Sequence, residues 1–143
     1  MTSEVIKTDE LARAEGKTLA EEAVKVLIEK LALDVTMYNV TEHTSITDYY
    51  VNATGRSATH VASLADDVAD NFEMRGQSAL RVEGKKGNSW ILVDFGTLIV
   101  NIFDNEGRAF YNFDRLMPAE CKESIDALVE EVDKKYNLDK KDK

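Results

Sequence analysis

Cysteine, proline, histidine and tryptophan are nearly missing from this chain, whose 143 residues hold one Cys, one Pro, two His and one Trp. A lone Cys121 leaves no internal disulfide, which excludes a stapled secreted scaffold and suits a reducing compartment. One Cys and two His are too few to build a structural zinc site. Long apolar runs are absent too: none approaches the roughly 20 residues that span a bilayer. The opening M-T-S-E-V-I-K-T-D-E-L lacks a signal-peptide apolar region and the Arg-rich character of a transit peptide. A cytoplasmic protein that stays where it is made is the expectation, with no membrane partner.

Positive charge is also in deficit. Against 27 Asp and Glu stand 18 Lys and Arg, a formal net charge of -9. A protein that binds by neutralising phosphates needs clustered cations, so direct nucleic-acid binding is disfavoured. A basic protein partner matches the charge, and so does an acidic surface kept for solubility. What is present is a globular body: 43% hydrophobic and 31% charged residues over a length that suits one domain. The polar ends, 1–17 and 137–143, read as flexible tails around a domain at 18–117 and an extra C-terminal helix at 118–136.

Thr18-Leu19-Ala20-Glu21 has capping-box spacing, and Leu19, Ala23, Val26, Leu27 and Leu31 follow at helical intervals, predicting a helix over 18–32. Leu33 to Val40 alternates as a strand, with Val35, Met37 and Asn39 on one face and Asp34, Thr36 and Tyr38 on the other. Tyr49 to Thr54 is a second strand, Gly55 supplies backbone freedom for a turn, and Ser57 is placed as the N-cap of a helix. That helix carries Val61, Leu64, Ala65, Val68 and Phe72 inward and ends at Gly76. Three strands follow, 79–83, 90–95 and 97–103, and the apolar W-I-L-V-D-F reads as central. Asp104 to Tyr111 is left between loop and short helix, while Pro118 is expected to open the last helix. The order specifies an α/β fold with a mixed β-sheet and packed helices.

Several positions invite chemistry. Gly55-Arg56-Ser57 at a helix start offers backbone N–H groups to a phosphate, which suggests a nucleotide-binding or nucleotidyltransferase-like enzyme. Such an enzyme needs paired carboxylates for magnesium, and the later strand offers only Asp94. Asp48 reads as a general base or, more simply, as a loop carboxylate bonding its own backbone. His43 and His60 lack a neighbouring nucleophile and acid. Trp90 at a strand end is either core or an interface anchor. Lys85-Lys86 in the hairpin reads as a solvated turn. Together these weigh toward a binding module with no cofactor.

Three segments, Ser45 to Val61, Val82 to Gly96, and I-V-N-I-F with R-A-F-Y-N-F-D-R-L-M through Met117, resemble the ribosomal silencing factor family, also called Iojap. D-Y before a strand, T-G-x-S, the E-G hairpin and W-x-x-x-D-x-G recur in that order, with departures at Asn101, where the family often has His, and Met117, where it has Trp. The resemblance implies a nucleotidyltransferase-like architecture without the catalytic acids. It also implies a non-enzymatic repressor that binds the large ribosomal subunit through its ribosomal protein number fourteen, blocks subunit joining when nutrients are scarce, and forms a homodimer. Partner contacts then fall on Trp90, Asp94, Asp48, Tyr49, Thr54 and Ser57, with Gly55 and Gly96 shaping turns.

Overall fold

The computed structural model describes residues 7–84 and 87–141; Lys85 and Lys86, read above as a solvated turn, lie outside them, as do 1–6. Six strands form one mixed sheet: β1 (Leu33–Asn39), β2 (Tyr49–Thr54), β3 (Arg81–Glu83), β4 (Trp90–Asp94), β5 (Leu98–Phe103) and β6 (Lys122–Glu123), in the order β3-β4-β5-β2-β1-β6. Only β2 and β5 run parallel, and the chain between them carries the crossover helix α2 (Ala58–Met74). Helix α1 (Gly16–Glu29) lies beside α2, and both cover one face of the sheet. There Leu19, Leu27, Val61, Leu64 and Phe72 bury Val51, Ala53, Ile91, Val93, Val100 and Ile102. Burying side chains of this size stabilises by about 1.5–3 kcal/mol each.

Period-2 alternation puts the other half of each strand on the opposite face. There the register aligns Thr36 with Asn52, Asn52 with Asn101, and Asn101 with Leu92. Helix α3 (Asn105–Tyr111) and a 3-10 turn, Phe113–Leu116, cross that face. Asp104 caps α3 through Oδ1, which accepts from the Gly107 N–H at 2.7 Å. The central apolar strand is β5, buried at all six positions, whereas W-I-L-V-D occupies β4, one strand from the edge, and Phe95 follows it.

Three expectations are corrected. Helix α1 starts at Gly16, not Thr18, without a side-chain cap, because Gly16 packs where a Cβ would stand 2.9 Å from the Thr97 carbonyl oxygen. It ends at Glu29 in a Schellman motif: Leu31 takes a φ of 67° and the Ala32 N–H bonds the Leu27 carbonyl at 2.9 Å. The segment expected as an N-terminal tail is docked within its described part. Leu11 is 2% exposed, its N–H bonds the Arg75 carbonyl at 2.7 Å, and Gln77 Nε2 donates to the Leu11 carbonyl at 2.9 Å.

Pro118 does not open the last helix. It precedes a 3-10 turn, Ala119–Cys121, and then β6, which pairs Lys122 with Tyr38 and Glu123 with Met37 on the outer edge of β1. Helix α4 (Asp126–Lys141) begins after that and packs on α1, where Lys25 meets Glu131 at 2.9 Å and Lys135 meets Glu29 at 3.0 Å.

Candidate functional site

The face of the sheet away from α1 and α2 carries the buried polar side chains of the central strands, Asn52, Thr54 and Asn101. Trp90, Leu92 and Asp94 alternate with buried Ile91 and Val93, so all three stand on this face, half-buried. Trp90 Nε1 donates to Asn101 Oδ1 at 2.9 Å, and Asn101 Nδ2 donates to Asn52 Oδ1 at 3.0 Å. The row ends at Asn52 Nδ2, a fully buried donor with no partner. Such a group costs about 1–3 kcal/mol, and it sits in the middle of an otherwise apolar strand.

Residues 105–116 cross this row as a strap. The Tyr111 ring centroid lies 4.8 Å from that of Trp90, Phe113 lies 5.8 Å from it, and Phe103 supports it from below at 5.1 Å. Arg108 donates through Nε to Asp114 Oδ1 at 2.8 Å and through Nη2 to Asp114 Oδ2 at 3.1 Å. Asp114 Oδ2 also accepts from Thr36 Oγ1 and Tyr38 OH, each at 2.8 Å, and Arg108 Nη1 reaches Thr54 Oγ1 at 2.9 Å. Burial alone raises the Asp114 carboxyl, but hydrogen bonds from Arg108 and Tyr38 with the guanidinium charge outweigh it and hold the group below the usual carboxylate range. Burial and the Asp114 carboxylate push the Tyr38 phenol up to about 12, so it remains a donor.

Beside the strap, a groove of about 320 Å³ is lined by Glu83, Gly84, Ser89, Trp90, Leu92 and Tyr111. Phe110 and Leu116 stand 80% and 71% exposed on the strap's outer side.

The expected contact residues do not form one cluster. Trp90 and Asp94 occupy opposite ends of β4, about 13 Å apart at 3.3 Å per residue. Thr54 and the Gly55 turn lie at the Trp90 end; Asp48 and Tyr49 lie at the Asp94 end, where their N–H groups both bond the Thr97 carbonyl. Tyr49 and Thr54 are 5% and 1% exposed and belong to the interior. Asp94 is engaged on both oxygens: Oδ1 accepts from the Gly96 N–H at 2.8 Å and Oδ2 from Arg81 Nε at 3.0 Å. It shapes the β4–β5 turn, in which Gly96 has a φ of 93°.

Gly55 does not use left-handed freedom, since its φ is outside that region; a Cβ there would stand 2.7 Å from Val61 Cγ2. Ser57 is the N-cap, accepting from the His60 N–H at 3.1 Å, and the Arg56 N–H is taken by His60 Nδ1 at 2.9 Å. The donors a phosphate would need at this turn are therefore partly spent within it. His60 Nε2 closes the tie on the Lys30 carbonyl at 3.0 Å.

Sequence reasoning missed Leu92, Asn52, Arg108, Tyr111, Phe113 and Asp114. Leu92 was accessible from the alternation of W-I-L-V-D; Arg108, Tyr111, Phe113 and Asp114 lay in the family-like R-A-F-Y-N-F-D segment, but their partners are on strands remote in sequence, as are those of Asn52. Among the described residues no three His, Cys, Asp or Glu side chains converge as metal ligands, and no helix is long and apolar enough to cross a membrane.

Fold and site together define a mixed-sheet α/β protein whose sheet face opposite α1 and α2 is roofed by an aromatic strap and edged by a half-exposed tryptophan strip. A family model described as "Ribosomal silencing factor during starvation" matches residues 13–143, and the chain belongs to that ribosomal silencing factor family. A ribosomal silencing factor of Zymomonas mobilis is 34% identical over 85 residues, 59% of this chain and 64% of its own length. A Mus musculus protein named for mitochondrial assembly of the ribosomal large subunit is 26% identical over 96 residues, 65% of this chain and 42% of its own. The chain thus spans less than two thirds of the length of these two relatives. A crystal structure of a Chromobacterium violaceum protein is similar with a TM-score of 0.70 at 25% identity, covering 72% of this chain and 86% of that one.

Proposed function

We propose that this chain binds the large ribosomal subunit through ribosomal protein number fourteen and sterically blocks subunit joining, lowering translation under nutrient limitation. Family membership supplies the setting. The observation that carries the reading to particular residues is the strip Trp90-Leu92-Asp94, half-buried on the face opposite α1 and α2 beside an open groove. An indole anchored by its N–H to Asn101 and backed by three aromatic rings is a rigid anchor that loses little entropy on binding. The mechanism needs no catalytic group: bulk on an intersubunit surface prevents bridges from forming. In this reading Trp90 and Leu92 touch the partner, while Asp94 and Gly96 hold the strand end that presents them. Ser57 and Asp48 flank the two ends of the strip.

Co-sedimentation with purified 50S subunits tests it. Wild-type protein is expected to pellet with 50S at low micromolar concentration, and Trp90→Ala to lose about thirtyfold in affinity, the equivalent of about 2 kcal/mol at a central anchor. Leu92→Asp and Asp94→Lys are expected to weaken binding as well. Wild-type protein left in the supernatant would sink the reading. The family-implied homodimer is read in the same samples without ribosomes, by sedimentation equilibrium.

A further inference from the structure

Arg108 and Asp114 stand six residues apart with a left-handed Asn112, φ 49°, between them, and their two-pronged ion pair closes that stretch into a loop. The rings that hold Trp90, Tyr111 and Phe113, both lie inside the closed loop. The far side of the clasp is tied to β1 through Thr36 and Tyr38 and to β2 through Thr54, and the guanidinium lies 5.9 Å from the Phe103 ring on β5. Three strands, β1, β2 and β5, are therefore linked to one indole on β4. The side chains of Arg108 and Asp114 are only 17% and 24% exposed, too covered to serve as contacts themselves.

We propose that the Arg108–Asp114 clasp is a positioning pair for the docking surface: by closing the 108–114 loop over β1 and β2 it fixes where Tyr111 and Phe113 hold the Trp90 indole. The assignment rests on the docking function proposed above. It requires the fork of an arginine, because a single ammonium at 108 meets Asp114 without fixing the loop's orientation. Tyr38 acts at one remove, by orienting the Asp114 carboxylate from a strand that is three strands away from Trp90.

The test uses the full chain, wild type and the variants Arg108→Lys and Tyr38→Phe, with Val132→Ala in α4 as a variant destabilised elsewhere. The single tryptophan gives one indole N–H resonance in a ¹H–¹⁵N spectrum, so its position reports Trp90 directly. Arg108→Lys is expected to shift that resonance and weaken 50S binding about tenfold; Tyr38→Phe, which removes one hydrogen bond and no charge, is expected to shift both in the same direction by less. Val132→Ala lowers the thermal midpoint without moving either. An unmoved indole resonance with unchanged 50S affinity in Arg108→Lys overturns the assignment, as does an equal loss of affinity in Val132→Ala. Should wild-type protein fail to bind 50S, the docking reading falls, and the indole resonance alone decides whether the clasp positions Trp90.

Discussion

Gly107 shows how closely single residues constrain the site. A Cβ there would stand 2.1 Å from the Ser89 carbonyl oxygen, a backbone atom that cannot rotate away, so Gly107→Ala must lift α3 off the start of β4. A loss of about 2–3 kcal/mol is expected from such overpacking, read by urea denaturation, and a variant as stable as wild type would show that α3 sits elsewhere. The Asp114 carboxyl makes a prediction with a sign. Its folded pKa is lowered, so its contribution is complete above the unfolded value of about 3.9 and is lost as pH falls through the folded value. Asp114→Asn should therefore cost about 2–3 kcal/mol near pH 7, since it leaves the Arg108 charge partly buried and unpaired, and the gap to wild type should begin to narrow only as pH falls below about 4. Denaturation midpoints between pH 3 and 7 measure it; a gap independent of pH would mean that the carboxylate is not the stabilising form. At this scale the sequence was informative about residue type and poor about partners. Trp90 stood out as a candidate anchor by chemistry, but Tyr49 and Thr54 were read as contacts and are interior, because α1 covers one face of β2 and the 105–116 strap covers the other.

Elements written in one unbroken period were legible. Helix α2, with its Ser57 cap and Gly76 terminus, was read in the sequence within a residue at its start and end, since the cap, the apolar stripe and the C′ glycine all agree there. Elements defined by long-range pairing were not. Lys122–Glu123 becomes a strand only because β1 leaves an edge open, and the segment around Leu11 is ordered by the end of α2, some 64 residues on. Helix α4 is of the same kind, for its sequence is strongly polar and its place is set by α1. It is held by two reciprocal, partly exposed ion pairs, by Val132, 5% exposed, and by a partly buried Leu128 against the core, so its docking should be weaker than the sheet's own cohesion. Glu131→Lys puts two cations together at Lys25 and is expected to speed amide exchange along α4 at least several-fold while β4 and β5 keep their protection. Equal acceleration in the central strands would show that α4 is an integral part of the cooperative unit.

For the molecule as a whole, the formal charge of -9 governs approach to a partner more than the fold does. Two fields of opposite sign act on it. In the proposed complex a basic ribosomal protein would attract it at short range, whereas the surrounding ribosomal RNA, a polyanion, would repel it over distances set by the Debye length, about 30 Å at 0.01 M salt and about 8 Å at 0.15 M. Raising salt within that range removes the long-range repulsion before it weakens contacts inside the interface. The association rate with isolated ribosomal protein number fourteen should accordingly fall as salt rises, as for any complementary pair. With intact 50S subunits the same titration should make association faster over the lower part of the range, and stopped-flow fluorescence of Trp90 can follow both. If the two titrations have the same slope, the acidic surface plays no part in recognising a basic patch within an RNA surface, and its role reduces to solubility. Opposite slopes are expected because salt screens an attraction in the one case and a net long-range repulsion in the other.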